Sequence, residues 1–248
     1  VAEGSAREPA KQKILDEVDA TNYKTMLFKN QLAGSLKISV ASTGKYVMPY
    51  FLSDFMAEHK GVDLSMDVTN KTIVVQSLEN NEVDFALVSV IPDQFKTNKV
   101  QLLQNKLYLI GSPRIIPEKS MSVKKLFERF PLLFREEGSA TRAAMESFLQ
   151  ENKIPINKKM KFKSNEALKQ AAIAGLGFSI MPLIGIKNAL NNGDLAVIPH
   201  KKLPIITHWH LIWLKAKKLS PVATAFLEFI QTEKKRIVEE VFAWYEGY

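Results

Sequence analysis

The sequence predicts an α/β fold of two Rossmann-like lobes joined by two crossover segments. Three observations carry this. Segments with strand spacing alternate with segments of helical spacing, the grammar of parallel sheets covered by helices. The series stops near residue 112 and starts again, so one sheet does not account for the whole chain. A final strand and helix after residue 204 are left over from the second series, and returning them to the first lobe requires two connections between the lobes.

Leu36 to Val40 alternates as a strand, and STGK then opens a run with Tyr46, Pro49, Phe51, Leu52, Phe55 and Met56 at helical spacing. Val62 to Val68 alternates strictly, Ile73 to Leu78 reads helical, and Phe85 to Val90 is an apolar run suited to a strand buried on both faces. A strand Leu107 to Ser112 closes this half. The second series reads as a helix near Val123 to Phe130, a strand Leu132 to Arg135, and a helix from GSATR to about Asn152. It continues with a strand Lys159 to Lys163, a helix Asn165 to Ala174, a strand Phe178 to Met181, a helix after Pro182 and a strand Leu195 to Ile198. Ile206 to Lys215 is the returning strand, and SPVATAFLEFI is an amphipathic helix with Ser220 as N-cap and Pro221 at its first position. The expected division is 35–111 with 205–231 as lobe I, and 112–204 as lobe II. Residues 1–34 are expected to be a connecting helix remnant and 232–248 a C-terminal helical extension.

The composition narrows the functional classes. At 46% apolar, the chain has ample material for globular cores. No run approaches the 18 apolar residues of a membrane span, and the start VAEGSAREPAKQK has no apolar core of a signal peptide, so a cytoplasmic protein is expected. The absence of cysteine rules out thiol catalysis and cysteine-ligated zinc. The net charge of +8 is localised, because residues 112–203 hold 16 basic and 8 acidic side chains. Lys158, Lys159, Lys161 and Lys163 are its densest run, but only Phe162 interleaves them, which is poor for nucleic-acid stacking.

Sharper chemistries fail on inspection. His208 and His210 share one strand face without an evident third ligand, so no metal site is expected. No G-x-S-x-G elbow is present, and Gly175-Leu176-Gly177 precedes a strand, which suits a helix C-cap better than a dinucleotide loop. Glu136 and Glu137 are adjacent and diverge, a poor acid/base pair. No catalytic residue and no cofactor are expected.

Four strings stand in register from Gly34 to about Ile230: GSLKISVASTGKYVMPYFLSDFMAEHKGVDLSMDV, LENNEVDFALVS, REEGSATR and SNEALKQAAIAGLGFSIMP. Together they resemble the effector-binding domain of LysR-type transcriptional regulators. The resemblance implies a fold like the type 2 periplasmic binding proteins, with a small metabolite effector held between the lobes. It implies an antiparallel dimer or a tetramer, with residues 46–59 of one chain against 142–151 of the other and Met48 and Met145 buried across the twofold. The opening VAEGSAREPAKQKIL looks like the end of the wing and the linker helix of that family. The winged helix-turn-helix is accordingly expected to be missing here, and operator DNA to be reached only through it. REEGSATR is similar to regulators of carbon fixation and sulfur assimilation, whose effectors include phosphorylated and sulfur-containing anions. A solute-binding protein of a transport system shares the fold and is the alternative, as is a small enzyme on the same scaffold.

The residues supply two anion sites of their own. Ser42 and Thr43 end the first strand, and Gly138, Ser139 and Thr141 stand at the corresponding turn of the second lobe. Unpaired N–H groups and the positive end of the dipole suit a carboxylate or phosphate at such turns. Arg142 and Arg135 offer a bidentate fork. Ser89 and Asn165 are further candidates by the same geometry, and Phe178 with Val90 is expected to line the cleft. Ordinary helix capping is the competing role for every hydroxyl.

Overall fold

The structure, a computed structural model, describes residues 32–116 and 121–248. The linker expected over 1–34 lies almost wholly outside the described residues. Strand β1 (Ala33–Ala41) runs parallel to both of its neighbours, β2 (Gly61–Thr69) and β3 (Phe85–Val88). Helices α1 (Met48–Glu58) and α2 (Lys71–Glu79) make the crossings. All four residues of β3 are buried, as expected of a strand covered on both faces.

Strands β4 (Thr97–Gly111) and β9 (Ile205–Leu214) pair antiparallel over nearly their whole length and build the connection between the lobes. Near its N-terminus β4 lies beside β9 in the first sheet, where β9 also pairs with β3. Beyond a register shift between Gln101 and Gln104 the pairing with β9 continues to Leu107, and from Leu107 to Ile110 β4 also pairs with β7 (Ser179–Pro182). β4 thus carries the chain out of the first lobe, and β9 brings it back. The expected strand Leu107 to Ser112 is only the end of β4. Its earlier half was not legible because the bulge breaks the two-residue period.

The second lobe holds β5 (Leu132–Arg135) parallel to β6 (Lys159–Phe162), with a bridge from Leu132 to Phe178 leading on to β7. Helices α3 (Val123–Arg129), α4 (Ala140–Glu151), α5 (Asn165–Ile173) and α6 (Lys187–Asn191) and the short β8 (Ala196–Val197) complete it. Gly175, at φ 82°, takes the left-handed position after α5, so the GLG string is the helix C-cap expected. The exposed lysines 158, 159, 161 and 163 lie on or beside β6, which among the described residues pairs only with β5; charge there discourages edge-to-edge pairing with another chain.

One apolar core centres on Leu36, Ile38, Phe51, Phe55, Phe85, Trp209 and Phe226, and a second on Leu109, Phe127, Phe134, Phe148 and Ile180. The architecture is the two-lobe, type 2 periplasmic-binding-protein-like fold. One expectation is corrected here. Met48 and Met145 are 0% and 1% exposed within the chain's own cores, so neither is free to be buried across a twofold. Helix α7 (Pro221–Phe242) runs unbroken through the boundary expected at residue 231 and ends in a 3-10 turn, Ala243–Gly247. Ser220 caps α7 through its hydroxyl, which accepts the Ala223 N–H at 3.1 Å.

Candidate functional site

The first strand does not run straight into its helix. Ser42 to Tyr46 form a 3-10 turn, and α1 starts only at Met48, with Pro49 at its beginning. Gly44 makes this possible, since a Cβ there would lie 2.6 Å from Val40 and 2.7 Å from Leu87. The turn directs Ser42 and Thr43 to the carboxyl end of the sheet. Neither hydroxyl is spent on a cap. In the second lobe Ser139 is the N-cap residue of α4 by position, yet its side chain makes no capping hydrogen bond. The capping role that competed with binding is therefore absent from both turns.

These turns face each other across the lobes. Ser42, Thr43 and Ser89 from the first lobe and Arg135, Ser139, Thr141 and Asn165 from the second line one cavity, together with Asn70 and Lys71. Its volume is about 20 Å³, room for roughly one water molecule. The lobes are closed on it. Asn165 Nδ2 donates to Ser42 Oγ at 3.2 Å from the other lobe, and Asn165 Oδ1, on a side chain only 4% exposed, is buried without a partner. Ser164 caps α5 by accepting the Ala167 N–H, which leaves Asn165 free to reach across. Glu166, next along, is held below the usual carboxylate range, first by its hydrogen bond from Lys169 and then by that from Gln170.

The electrostatics of the cavity have one sign. Two cationic residues, five hydroxyl-bearing residues and the start of α4 line it, and no acidic residue does. Arg135 is 3% exposed and is held by Glu136, which accepts from its Nε and Nη2 at 2.7 Å each. That clamp fixes the guanidinium plane through Nε and Nη2.

Arg142 is placed differently from the expectation. It lines an adjoining outer cleft of about 520 Å³, between α2 and the start of α4, and not the inner cavity. Its Nε donates to Glu146 at 2.9 Å and its Nη1 is 3.4 Å from Glu137, outside hydrogen-bonding geometry. Gly138 also borders the outer cleft, and Phe178 lines neither space. Phe178 is fully buried in the second core, edge-on to Phe130 at 5.3 Å and with its Cδ1–Cε1 edge against Gly111, where a Cβ would sit 2.4 Å from both atoms. Asn70 and Lys71 were missed, although the turn after β2 repeats the strand-to-helix geometry that pointed to the others. Asn70 caps α2 by accepting the Ile73 N–H, and Lys71 follows it into the cavity wall. Among the described residues no cluster of three metal-ligating side chains occurs; His208 and His210 lie at the hinge strands with ring centroids 6.2 Å apart.

Gly138 has φ 80°, and a Cβ on it would lie 2.4 Å from Thr72 Oγ1 of the opposite lobe. Gly138→Ala is expected to strain the backbone and to hold the lobes apart at once. Small-angle scattering checks this: the variant should be less compact than the parent, and an identical curve would show that the lobes do not meet there.

Fold and cavity together define a two-lobe domain with a polar cavity between its lobes. Residues 29–235 match the LysR substrate binding domain family, and the chain belongs to it. It is 36% identical over 199 residues to the HTH-type transcriptional activator CmpR of Synechocystis sp., covering 79% of this chain and 65% of CmpR. To a RuBisCO operon transcriptional regulator of Allochromatium vinosum it is 37% identical over 206 residues, 82% of this chain and 68% of that protein. The chain therefore spans about two thirds of these relatives' length. Among solved structures it is similar to the Synechocystis CcmR regulatory domain in complex with 2-PG (2-phosphoglycolate), at TM-score 0.75 and 28% identity over 82% of this chain and 98% of that one. These relatives are regulators, which favours sensing over the transport and enzyme alternatives. No helix among the described residues is long and apolar enough to cross a membrane.

Proposed function

We propose that this chain is the effector-sensing domain of a bacterial LysR-type transcriptional regulator, cytoplasmic and without catalytic activity of its own. A small anionic metabolite binds between the lobes, and the change in lobe geometry passes to DNA binding and transcription in the complete protein. The lobes are residues 35–111 with 205–231, and 112–204, moving about the bulged pair β4 and β9. The observation that carries this reading is the cavity in which Lys71, Arg135, five hydroxyls and the α4 N-terminus converge with no carboxylate in its wall. Ser42, Thr43, Ser89, Ser139, Thr141 and Asn165 hold the anion with Arg135. Gly138 and Arg142 border its path of entry. A phosphorylated carboxylate such as 2-PG is the ligand class that the resemblance to CcmR supports.

Calorimetry tests it with 2-PG, inorganic phosphate and glycerol as a neutral control. The expected order of affinity is 2-PG above phosphate, with no heat from glycerol. Equal responses to glycerol and 2-PG would overturn the anion reading.

Self-association follows the same resemblance, with revised contacts. We place the antiparallel contact on α1, α4 and the edge strand β2, where Leu64 and Val68 stand 38% and 39% exposed. Sedimentation of the parent chain at tens of micromolar is expected to show a dimer, and Leu64→Lys with Val68→Lys a monomer. A monomeric parent would contradict this arrangement.

A further inference from the structure

The C-terminal segment touches both lobes. Its root is in the first: Phe226 of α7 lies 5.1 Å from the Phe55 ring and 5.8 Å from Phe85, and Arg236 Nη2 donates to Asp54 of α1 at 2.7 Å. Phe242, the last residue of the helix, is stacked 6.3 Å from Phe51. The turn that follows then reaches β4, the strand that spans the two lobes, and α6 beyond it. Tyr245, 1% exposed, accepts the backbone N–H of Lys106 on its hydroxyl at 2.9 Å. Lys106 Nζ donates in return to the carbonyl oxygens of Tyr245 at 2.9 Å and Tyr248 at 3.2 Å. Lys187, which opens α6 in the second lobe, places its ammonium 4.3 Å from the Trp244 ring centre.

The position of Lys106 gives these contacts their meaning. It lies on the second-lobe side of the bulge in β4, one residue before pairing with β7 begins. Lys106 is paired with Ile206 of β9 on one side, and the Tyr245 hydroxyl takes its N–H just before β7 joins β4 on the other. The Lys106 side chain is 7% exposed, so its charge depends on acceptors such as the two carbonyls that the turn supplies. None of the described side chains of residues 243–248 lines the cavity or the outer cleft. The segment therefore acts on the hinge and not on the ligand.

We propose that residues 243–248 are a strap that binds the first lobe to the second across the hinge and holds the cleft in its closed arrangement. A ligand that needs the closed cleft binds in proportion to the closed fraction, so the strap sets the apparent affinity from outside the site. The strap rests on the two-lobe fold, while its effect on affinity rests on the sensing function proposed above.

The test uses the cysteine-free chain with spin labels introduced by Asn80→Cys and Ser147→Cys, exposed positions on α2's C-terminal end and on α4. Four forms are compared: the parent, the chain ending at Phe242, Tyr245→Phe and Lys187→Ala. Without ligand, the truncated chain is expected to show longer interlobe distances than the parent, with both point variants in between. The dissociation constant for 2-PG is expected to rise roughly tenfold on truncation and less in the point variants. Unchanged distances in all three altered forms overturn the strap, as does weakened binding with no change in distance. If the truncated chain does not fold, the two point variants decide by the same criteria. If 2-PG binds no form, the sensing proposal fails for that ligand, while the distances still decide for or against the strap.

Discussion

Arg135→Lys is expected to weaken 2-PG binding by about 1.5–3 kcal/mol, roughly a 10- to 150-fold loss of affinity. Lysine keeps the positive charge but loses the planar fork, and with it the geometry that lets one edge pair with Glu136 while the other meets a ligand oxygen. Melting should change much less, because an ammonium beside Glu136 still balances that carboxylate. Arg135→Met separates the two roles further. It leaves Glu136, whose side chain is 20% exposed, without its buried partner and should lower the melting temperature as well as the affinity. Calorimetry and thermal melts on the same preparations check both. Full affinity in Arg135→Lys would mean that the guanidinium is structural.

The second large effect is expected at the two turns. Thr43→Val and Thr141→Val keep shape and remove one donor each, and each should weaken 2-PG binding by about 1–3 kcal/mol. The structure sharpens the stability side. At neither turn does a side chain cap the helix, so the loss of about 1 kcal/mol typical of a broken N-cap is not expected. Variants that bind as the parent does and melt lower would show these hydroxyls to be structural. The double variant is expected to fall short of additivity, since both hydroxyls meet one small ligand.

The fold was largely legible because most of its elements obey a single period. β5 matches its expected limits at both ends, and β2, α2, α3, α4 and α5 match to within about two residues. Where two structures share one strand, the period fails. β4 serves both lobes with a bulge between them, and only its end was read. A helical extension after residue 231 was expected, but not its continuity with the preceding helix, which Arg236 fastens to α1 through Asp54 while pairing with Glu233 and Glu240.

For the site, the strand-to-helix turns were legible because position at the sheet's carboxyl edge follows from element order alone. Side-chain direction does not. Arg135 ends a strand and turns inward, while Arg142 lies in the first turn of α4 and finds Glu146 on its own surface. Phe178 was misread for the same reason: a residue at a strand's beginning faces the cleft or the core according to the pleat, and here the core prevails. The C-terminal aromatics had no expected role, because nothing in their spacing points to Lys106, 139 positions before Tyr245.

The central claim is that a small anion bound between the lobes is held by these residues. A crystal structure of the chain with 2-PG tests it most directly. The account predicts phosphate or carboxylate oxygens within hydrogen-bonding distance of Arg135 and of at least one hydroxyl on each side, Thr43 or Ser42 and Ser139 or Thr141. Ligand bound elsewhere on the chain, with the Asn165 to Ser42 contact undisturbed and the inner cavity still the size of one water, would contradict it.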